Sequence, residues 1–273
     1  MGAFAGVEKN WASLTDIGRT HIATKGVVQS GLVLNLDAGV SSSYSGSGTS
    51  WTDLSGNGNT GTLTNGPTYD SANGGSIVFD GVNDFIGCGN ILNFERTNPF
   101  TISVWFRTTK SGSFTSTIVG KNKLVTSPAN YTGYQIGMNV NTGNSSDAGK
   151  FGFVLVSGPF VNVSTNVMRK QTVTSTYNNG NWINGLVAYD GTSSIGGMLI
   201  YINGINVNTE SPSGEATSLS SSIITNANFQ VGARDGTNQP FNGNISQVSI
   251  YNRSLTASEI SQNFNAMRYR FGI

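Results

Sequence analysis

The segment from Phe241 to Met267 constrains the fold of this chain more than any other part of the sequence. Its first half places apolar strand formers such as Ile245 and Val248 between polar residues, a pattern typical of a β-strand. In its second half, Thr256 and Glu259 have the spacing of a capping box, in which each side chain accepts a hydrogen bond from the other residue's backbone N–H. The segment therefore predicts a strand that leads directly into a short helix.

Two details refine this prediction. Ile245 and Val248 differ in parity along the strand, yet both have the character of core residues, which predicts a β-bulge near Ser246 and Gln247. The helix should carry a hydrophobic staple and one apolar face. The residues in these positions are Leu255 and Ile260 for the staple, and Ile260, Phe264 and Met267 for the face.

Short apolar runs with strand alternation recur from residue 31 to residue 251. Of the 273 residues, 36 are glycine and 11% are charged, so the chain is a turn-dense polar β protein and favours one large domain. Asn203-Gly204 is the preferred dipeptide of a type I′ hairpin. The residues predicted to face the core are Leu32, Leu34, Leu36, Ile102, Val104, Phe106, Phe151, Phe153, Leu155, Leu186 and Ala188.

Five motifs and the closing segment occur in the order found in one known family. Together they resemble the laminin-G-like, concanavalin-A-like jelly roll over residues 31–267. The resemblance implies an all-β antiparallel β-sandwich with a short C-terminal helix, here preceded by an N-terminal arm. The motifs are a Trp–Asp–SGNG turn at Trp51–Gly61, an FDG strand pair at Ser76–Ile86, an aromatic strand at Phe100–Phe106, and the segments Trp182–Asp190 and Leu199–Ile205.

The domain boundaries follow from these motifs. Residues 31–267 are predicted to form the sandwich, and residues 268–273 a C-terminal tail to which the pattern assigns no core role. Residues 1–30 show neither strand alternation nor a long helical face, so they are predicted to be an arm that docks on a partner. Folding of this arm back over one sheet is the alternative.

Enzymatic chemistry is not expected. Retaining glycosidases need two carboxylates about 5 Å apart, and no such pair lies on one strand face of this sequence. A serine or cysteine nucleophile needs a base, and His21, the single histidine, lies in the predicted arm. We therefore predict no catalytic residues and no cofactor.

The most specific metal hypothesis is a calcium site, because calcium binds carboxylate and carbonyl oxygens. The candidate ligands in turns are Asp53, Asn57, Asp80 and Asp84. Relatives often have Asp-Glu where this chain has Ser246–Gln247, which argues against it. The favoured interpretation is that Asp53 and Asp84 accept hydrogen bonds from turn amides, so no metal is predicted. The lone cysteine, Cys88, excludes an internal disulfide and is predicted to be a small apolar filler.

The net charge of +1 predicts neither a nucleic acid nor a membrane surface as partner, and no apolar run approaches membrane-span length. No secretion signal is visible at the N-terminus. Glycan binding needs an aromatic platform beside polar groups, and no single residue stands out for this role. The candidates in or beside loops are Tyr44, Trp51, Tyr131, Tyr134 and Tyr177.

Three functions are compatible with these features. The ends of the domain, Ser30–Ala38 and Asn263–Ile273, are similar to those of cyanophage-type structural proteins. The resemblance implies a tailed-phage virion protein, assembled in the host cytoplasm, most simply a head decoration that contacts the capsid or tail shell. A tail-fibre adhesin recognising host polysaccharide is the first alternative, and a cellular carbohydrate-binding module the second. The predicted partner-docking residues are Phe4, Trp11, Ile17, Phe271 and Ile273.

Overall fold

A computed structural model of the chain describes residues 26–110, 115–126, 129–140, 147–158, 163–174 and 176–273. These residues form seventeen strands and two α-helices. Neither helix has the length and apolarity to cross a membrane. The predicted docking residues Phe4, Trp11 and Ile17, and with them the predicted arm up to residue 25, lie outside the described residues, as does His21.

The strands are β1 (Leu32–Asp37), β2 (Ser50–Trp51), β3 (Gly61–Thr64), β4 (Thr68–Asp70), β5 (Ser76–Asp80), β6 (Phe85–Gly87), β7 (Phe100–Arg107), β8 (Ser116–Thr126), β9 (Ala129–Met138), β10 (Phe151–Gly158), β11 (Val167–Thr172), β12 (Ile183–Tyr189), β13 (Met198–Ile202), β14 (Ile205–Asn206), β15 (Thr209–Glu210), β16 (Gln230–Val231) and β17 (Asn242–Tyr251). The helices are α1 (Val163–Asn166) and α2 (Ala257–Met267). Short 3₁₀ turns occur at Ala72–Gly74, Ile195–Gly197 and Arg268–Phe271.

The strands form two antiparallel sheets, so the predicted all-β sandwich with a short C-terminal helix is confirmed. The eight-stranded sheet has the order β14-β13-β12-β7-β17-β5-β4, and β1 pairs with β17 beside this path. The nine-stranded sheet has the order β15-β11-β10-β9-β8-β16-β6-β3-β2. The closing strand β17 therefore lies in the middle of its sheet, paired with β1, β5 and β7.

The predicted bulge in β17 is confirmed. Ile245 pairs with Phe106 and Gln247 pairs with Trp105, so Ser246 is the extra residue between two consecutive partners on β7. This residue resets the alternation, and Ile245 and Val248 are both fully buried in the core between the sheets.

The predicted helix start is also confirmed. The Oγ1 atom of Thr256 accepts the N–H of Glu259, and the Glu259 carboxylate accepts the N–H of Thr256, so both halves of the capping box are present. Leu255 and Ile260 are buried in one cluster, as a hydrophobic staple requires. At the predicted hairpin, Asn203 and Gly204 both have positive φ, as a type I′ turn demands.

The outer face of the eight-stranded sheet is covered rather than solvated. Leu186 and Ala188, predicted to face the core between the sheets, instead lie in the cluster that helix α2 covers with Ile260. Val187 and Tyr189 of the same strand take the inner positions. The prediction was wrong because alternation identifies two faces but not which one meets the other sheet, and here both are buried.

The C-terminal tail packs on this same outer face. The ring of Phe271 stacks on Trp105 with centroids 4.2 Å apart. The Nη1 atom of Arg270 lies 2.7 Å and 2.9 Å from the two carboxylate oxygens of Asp37. The tail therefore has a core role that sequence pattern did not assign to it.

Candidate ligand-binding cleft

The turn residue Asp53 uses its carboxylate inside the fold. It accepts the backbone N–H groups of Asn35, Ser55 and Asn59 at 2.8, 2.9 and 2.9 Å, and the hydroxyl of Ser55 at 2.8 Å. This is the hydrogen bonding expected of an Asx residue that organises a turn. In the part of the chain that the structure describes, no group of three or more His, Cys, Asp or Glu residues is arranged to hold a metal ion.

Asp80 and Asp84 organise the next turn in the same way. The Oδ2 atom of Asp84 accepts the N–H of Asp80 at 2.9 Å, and the Oδ1 atom of Asp80 accepts the N–H of Val82 at 2.8 Å. Burial raises the pKa of the Asp84 carboxyl, and the nearby Asp80 carboxylate raises it further. These bonds support the turn-amide interpretation of the acidic residues over a calcium site.

Most of the aromatic candidates for a glycan platform are enclosed. Tyr44, Trp51 and Tyr134 are buried in the main core. The hydroxyl of Tyr134 donates to the carbonyl of Leu92 at 2.9 Å, and burial raises the pKa of Tyr134 well above its usual value. The side chain of Tyr131 lies outside the described residues. Tyr177 remains half-buried and accessible.

Tyr177 borders an open cavity of about 530 Å³, within the size range of small-molecule sites. It lies where β12 begins and β13 ends, beside the C-terminal tail, and we call it the tail cleft. The residues that line it are Thr176, Tyr177, Asn179, Gly180, Asn181, Trp182, Ile183, Ile202, Asn203, Phe271, Gly272 and Ile273. The tail cleft therefore contains one predicted glycan candidate, Tyr177, and two predicted docking residues, Phe271 and Ile273.

The aromatic wall of the tail cleft is held rigidly. Trp182, only 7% exposed, donates its indole N–H to Oδ1 of Asn73 at 3.1 Å and lies 4.8 Å from the ring centroid of Phe271. The guanidinium of Arg107 covers the indole with Cζ 5.3 Å from the ring centroid. These contacts fix the orientation of the indole ring.

The rim of the tail cleft is made of amides. The Oδ1 atom of Asn179 accepts the N–H of Asn181 at 3.0 Å, and Oδ1 of Asn203 accepts the N–H of Asn184 at 2.9 Å. The side-chain amide nitrogens of Asn179, Asn181 and Asn203 have no hydrogen-bond partner within the described ranges. Burial raises the pKa of the Tyr177 hydroxyl, and a hydrogen bond with the Thr174 side chain partly opposes this rise. The rim can thus donate several hydrogen bonds to a ligand.

A second, smaller cavity of about 240 Å³ lies beside β6, β8 and β16. We call it the lysine pocket, and its lining residues are Phe85, Lys123, Asn226, Ala227, Asn228, Gln230, Asp235 and Gly236. The buried Lys121 donates from Nζ to the carbonyl of Ala227, in the wall of this pocket, at 2.6 Å. Burial lowers the pKa of Lys121 to about 8. The lysine pocket has two charged side chains in its lining, Lys123 and Asp235, whereas the side chains that line the tail cleft are uncharged.

Two of the predicted docking residues, Phe271 and Ile273, lie in the described part of the chain, and they differ in exposure. Phe271 is buried within the chain itself, against Trp105 and Trp182, so its ring is not available as an exposed anchor in this conformation. Ile273 is 41% exposed at the rim of the tail cleft. A role for Ile273 in docking stays a prediction. The sequence did not reveal Trp182 as a cleft residue, because its neighbours Asn73 and Phe271 are distant along the chain.

Solved structures with the same architecture include toxin binding domains. The binding domain of Paraclostridial Mosquitocidal Protein 1 matches with a TM-score of 0.61 at 17% identity, covering 86% of this chain and 52% of that one. The botulinum neurotoxin serotype G binding domain matches with a TM-score of 0.56 at 16% identity, covering 85% and 50%. This chain therefore spans about half the length of those domains. At such identities the likeness shows the fold alone.

A second kind of neighbour is matched over nearly its whole length. It is domain 4 of AbnA, an extracellular arabinanase of family GH43 from Geobacillus stearothermophilus, solved in complex with arabinotriose. The TM-score is 0.57 at 19% identity, covering 85% of this chain and 97% of that domain. No curated protein sequence matches the chain. A family match covers residues 80–261, more than half of the chain. The protein therefore belongs to the laminin G-type family of the concanavalin A-like lectin/glucanase superfamily.

Proposed function

We propose that this chain is a non-catalytic binding module for carbohydrate or a glycan-bearing receptor, and that the tail cleft is its ligand site. The observation that carries the proposal is the composition of this cleft: an aromatic and aliphatic wall, in which Tyr177 and Ile273 are accessible, beside three side-chain amides whose nitrogens have no partner among the described residues. Sugars present apolar C–H faces and many hydroxyls, so such a combination suits them.

The fold neighbours support this function over a purely structural one. One neighbour was solved with arabinotriose, another, a botulinum neurotoxin binding domain, with the sialyl T glycan, and others are described as receptor-binding domains. The proposal corresponds to the adhesin alternative raised by the sequence, recognition of host surface glycans, rather than to head decoration.

A glycan array followed by titration calorimetry tests the proposal. Asn181 is exposed, and its side chain has no partner among the described residues, so Asn181→Trp should fill the tail cleft without disturbing the fold. We expect this variant to lose array binding. Asn181→Ala should weaken binding roughly two- to tenfold, the cost of one hydrogen bond.

Asn228→Trp is the matched control, because it introduces the same side chain at an exposed asparagine of the lysine pocket. It should bind as the unaltered protein does. An array without signal, or equal binding by Asn181→Trp and the unaltered protein, would refute the tail cleft as a glycan site.

Attachment to a virus particle is a separate proposal. Only the similarity of the domain ends to cyanophage-type structural proteins supports it. The proposal implies localisation in the virion and contacts to capsid or tail proteins. Deletion of residues 1–30 tests it: particles should then lack the protein. Normal incorporation of the shortened chain would exclude docking through the arm.

A further inference from the structure

The tail cleft carries no charge on the side chains that line it. Its polar groups are the hydroxyls of Thr176 and Tyr177 and the amides of Asn179, Asn181 and Asn203. Among the described residues of its lining there is no Asp, Glu, Lys, Arg or His. This composition differs from that of the lysine pocket, where Lys123 and Asp235 are part of the wall.

The cations nearest to the aromatic wall are already engaged. Arg107 forms an ion pair with Asp70 at 3.1 Å and places its guanidinium over Trp182. Arg270 pairs with Asp37 at 2.7 Å, with its Cζ atom 5.3 Å from the centroid of Phe271. Neither arginine lines the cleft. A ligand in the cleft therefore meets aromatic and amide surface and no unpaired cation from these residues.

The absence of a cationic side chain from the lining decides between ligand classes. A carboxylate that entered the cleft would lose hydration without gaining a cationic partner, which is costly. An uncharged sugar would lose less, because amide nitrogens can donate to its hydroxyl and ring oxygens. We propose that the tail cleft binds an uncharged saccharide unit and discriminates against sialic acids and uronic acids. This inference rests on the proposed function and narrows its ligand class.

An array of neutral oligosaccharides printed beside their sialylated and uronate-containing counterparts tests the inference. The comparison is between the neutral glycan that binds best and a counterpart that carries an acidic group on the bound sugar unit. We expect the acidic counterpart to bind at least about tenfold more weakly. The dissociation constant for the neutral glycan should change less than about twofold as sodium chloride rises, because no ion pair is screened.

Two variants make the test specific to the cleft. Asn181→Arg adds a cation at the rim and should improve binding of the acidic counterpart by about tenfold or more, whereas Asn181→Gln keeps an uncharged amide and should not. Lys123→Gln alters the lysine pocket and should leave both affinities unchanged.

The outcomes separate the two proposals. Preference for the neutral glycan, reversed or reduced by Asn181→Arg, supports the inference. Equal or tighter binding of the acidic glycan overturns the inference and leaves the module a glycan binder. Acidic binding that disappears with Lys123→Gln overturns it in favour of the lysine pocket. Absence of binding to every glycan overturns the proposed function and the inference with it.

Discussion

Lys121 is a cation enclosed at the edge of the core. It is 1% exposed, and its Nζ atom donates to Oδ1 of Asn90 at 2.8 Å and to the carbonyl of Ala227 at 2.6 Å. Both acceptors are uncharged, so the loss of hydration is not offset by an ion pair, and burial lowers the pKa of the ammonium from 10.5 to about 8. The folded state therefore holds this proton less tightly than the unfolded chain does.

The sign of the pH effect follows from this difference. Below about pH 8 the charged lysine opposes folding in full, and between about pH 8 and 10.5 the folded protein releases a proton that the unfolded chain keeps, so stability rises with pH. Lys121→Met should remove this rise, which we expect to be on the order of 1–2 kcal/mol between pH 7 and 9.5. Urea denaturation across this range measures it.

Lys123→Met is the control for this prediction, because Lys123 lies two residues away on the same strand and is exposed. It should retain the pH dependence of the unaltered protein. Parallel stability profiles for Lys121→Met and the unaltered protein would contradict the prediction.

At the scale of the element, the start of helix α2 depends on an ionised carboxylate. Glu259 accepts the N–H of Thr256 at 2.9 Å and receives Nη1 and Nη2 of Arg253 at 2.9 and 2.7 Å. These partners, Arg253 first, lower the pKa of Glu259 from 4.5 to about 2. Its stabilisation is therefore present above about pH 4.5 and is lost as the pH falls through about 2.

Glu259→Gln should reduce the free energy of unfolding by about 1 kcal/mol at neutral pH, because it removes the charge from the capping box and from the Arg253 pair. The difference from the unaltered protein should shrink as the pH approaches 2, where the native carboxyl is itself protonated. Denaturant titrations at several pH values measure this convergence. A difference that stays constant with pH would show that the charge is irrelevant to the helix.

At the scale of the whole molecule, the C-terminal tail closes the outer face of the eight-stranded sheet. Phe271 stacks on Trp105 and contacts Trp182, while Tyr269, two residues earlier, is 60% exposed. The tail joins the end of the chain to strand β7 and to Trp182, the residue before β12, and it also forms one side of the tail cleft. Stability and ligand binding should therefore depend on the same segment.

Phe271→Ala should cost roughly 3–5 kcal/mol of unfolding free energy, because it leaves a cavity beside two indole rings. Tyr269→Ala, which removes an exposed ring from the same tail, should change stability by less than about 0.5 kcal/mol. Thermal and urea unfolding of both variants give the comparison. If Phe271→Ala proved as stable as the unaltered protein, the ring would be free to act as the docking anchor that the sequence suggested.

Sequence pattern was informative wherever the cause of a structure is local. The capping box at Thr256, the Asn203-Gly204 hairpin and the bulge at Ser246 all follow from residues within a few positions of one another. Hydrogen bonds over three residues and the two-residue period of a strand act over such distances, so they can be recognised in the chain itself.

Pattern was uninformative wherever the deciding contact joins distant parts of the chain. The orientation of Leu186 toward helix α2, the enclosure of Tyr44 and Trp51, and the burial of Phe271 against Trp105 depend on how the elements pack. The candidate site has the same origin: of its wall and rim, the sequence singled out Tyr177, Phe271 and Ile273 but not Trp182 or the asparagines.

The sequence by itself determined the two-sheet class of this protein, its closing strand and helix, and the bulge between Ile245 and Gln247. The tertiary structure alone decided which strand faces are covered, which aromatic rings fill the core, and where a cleft lined by uncharged side chains remains open. The physical reason is the sequence separation between the residues that interact. Backbone geometry and capping are specified by neighbours along the chain, whereas burial is specified by neighbours in space, such as Asn73 beside Trp182 and Asp37 beside Arg270.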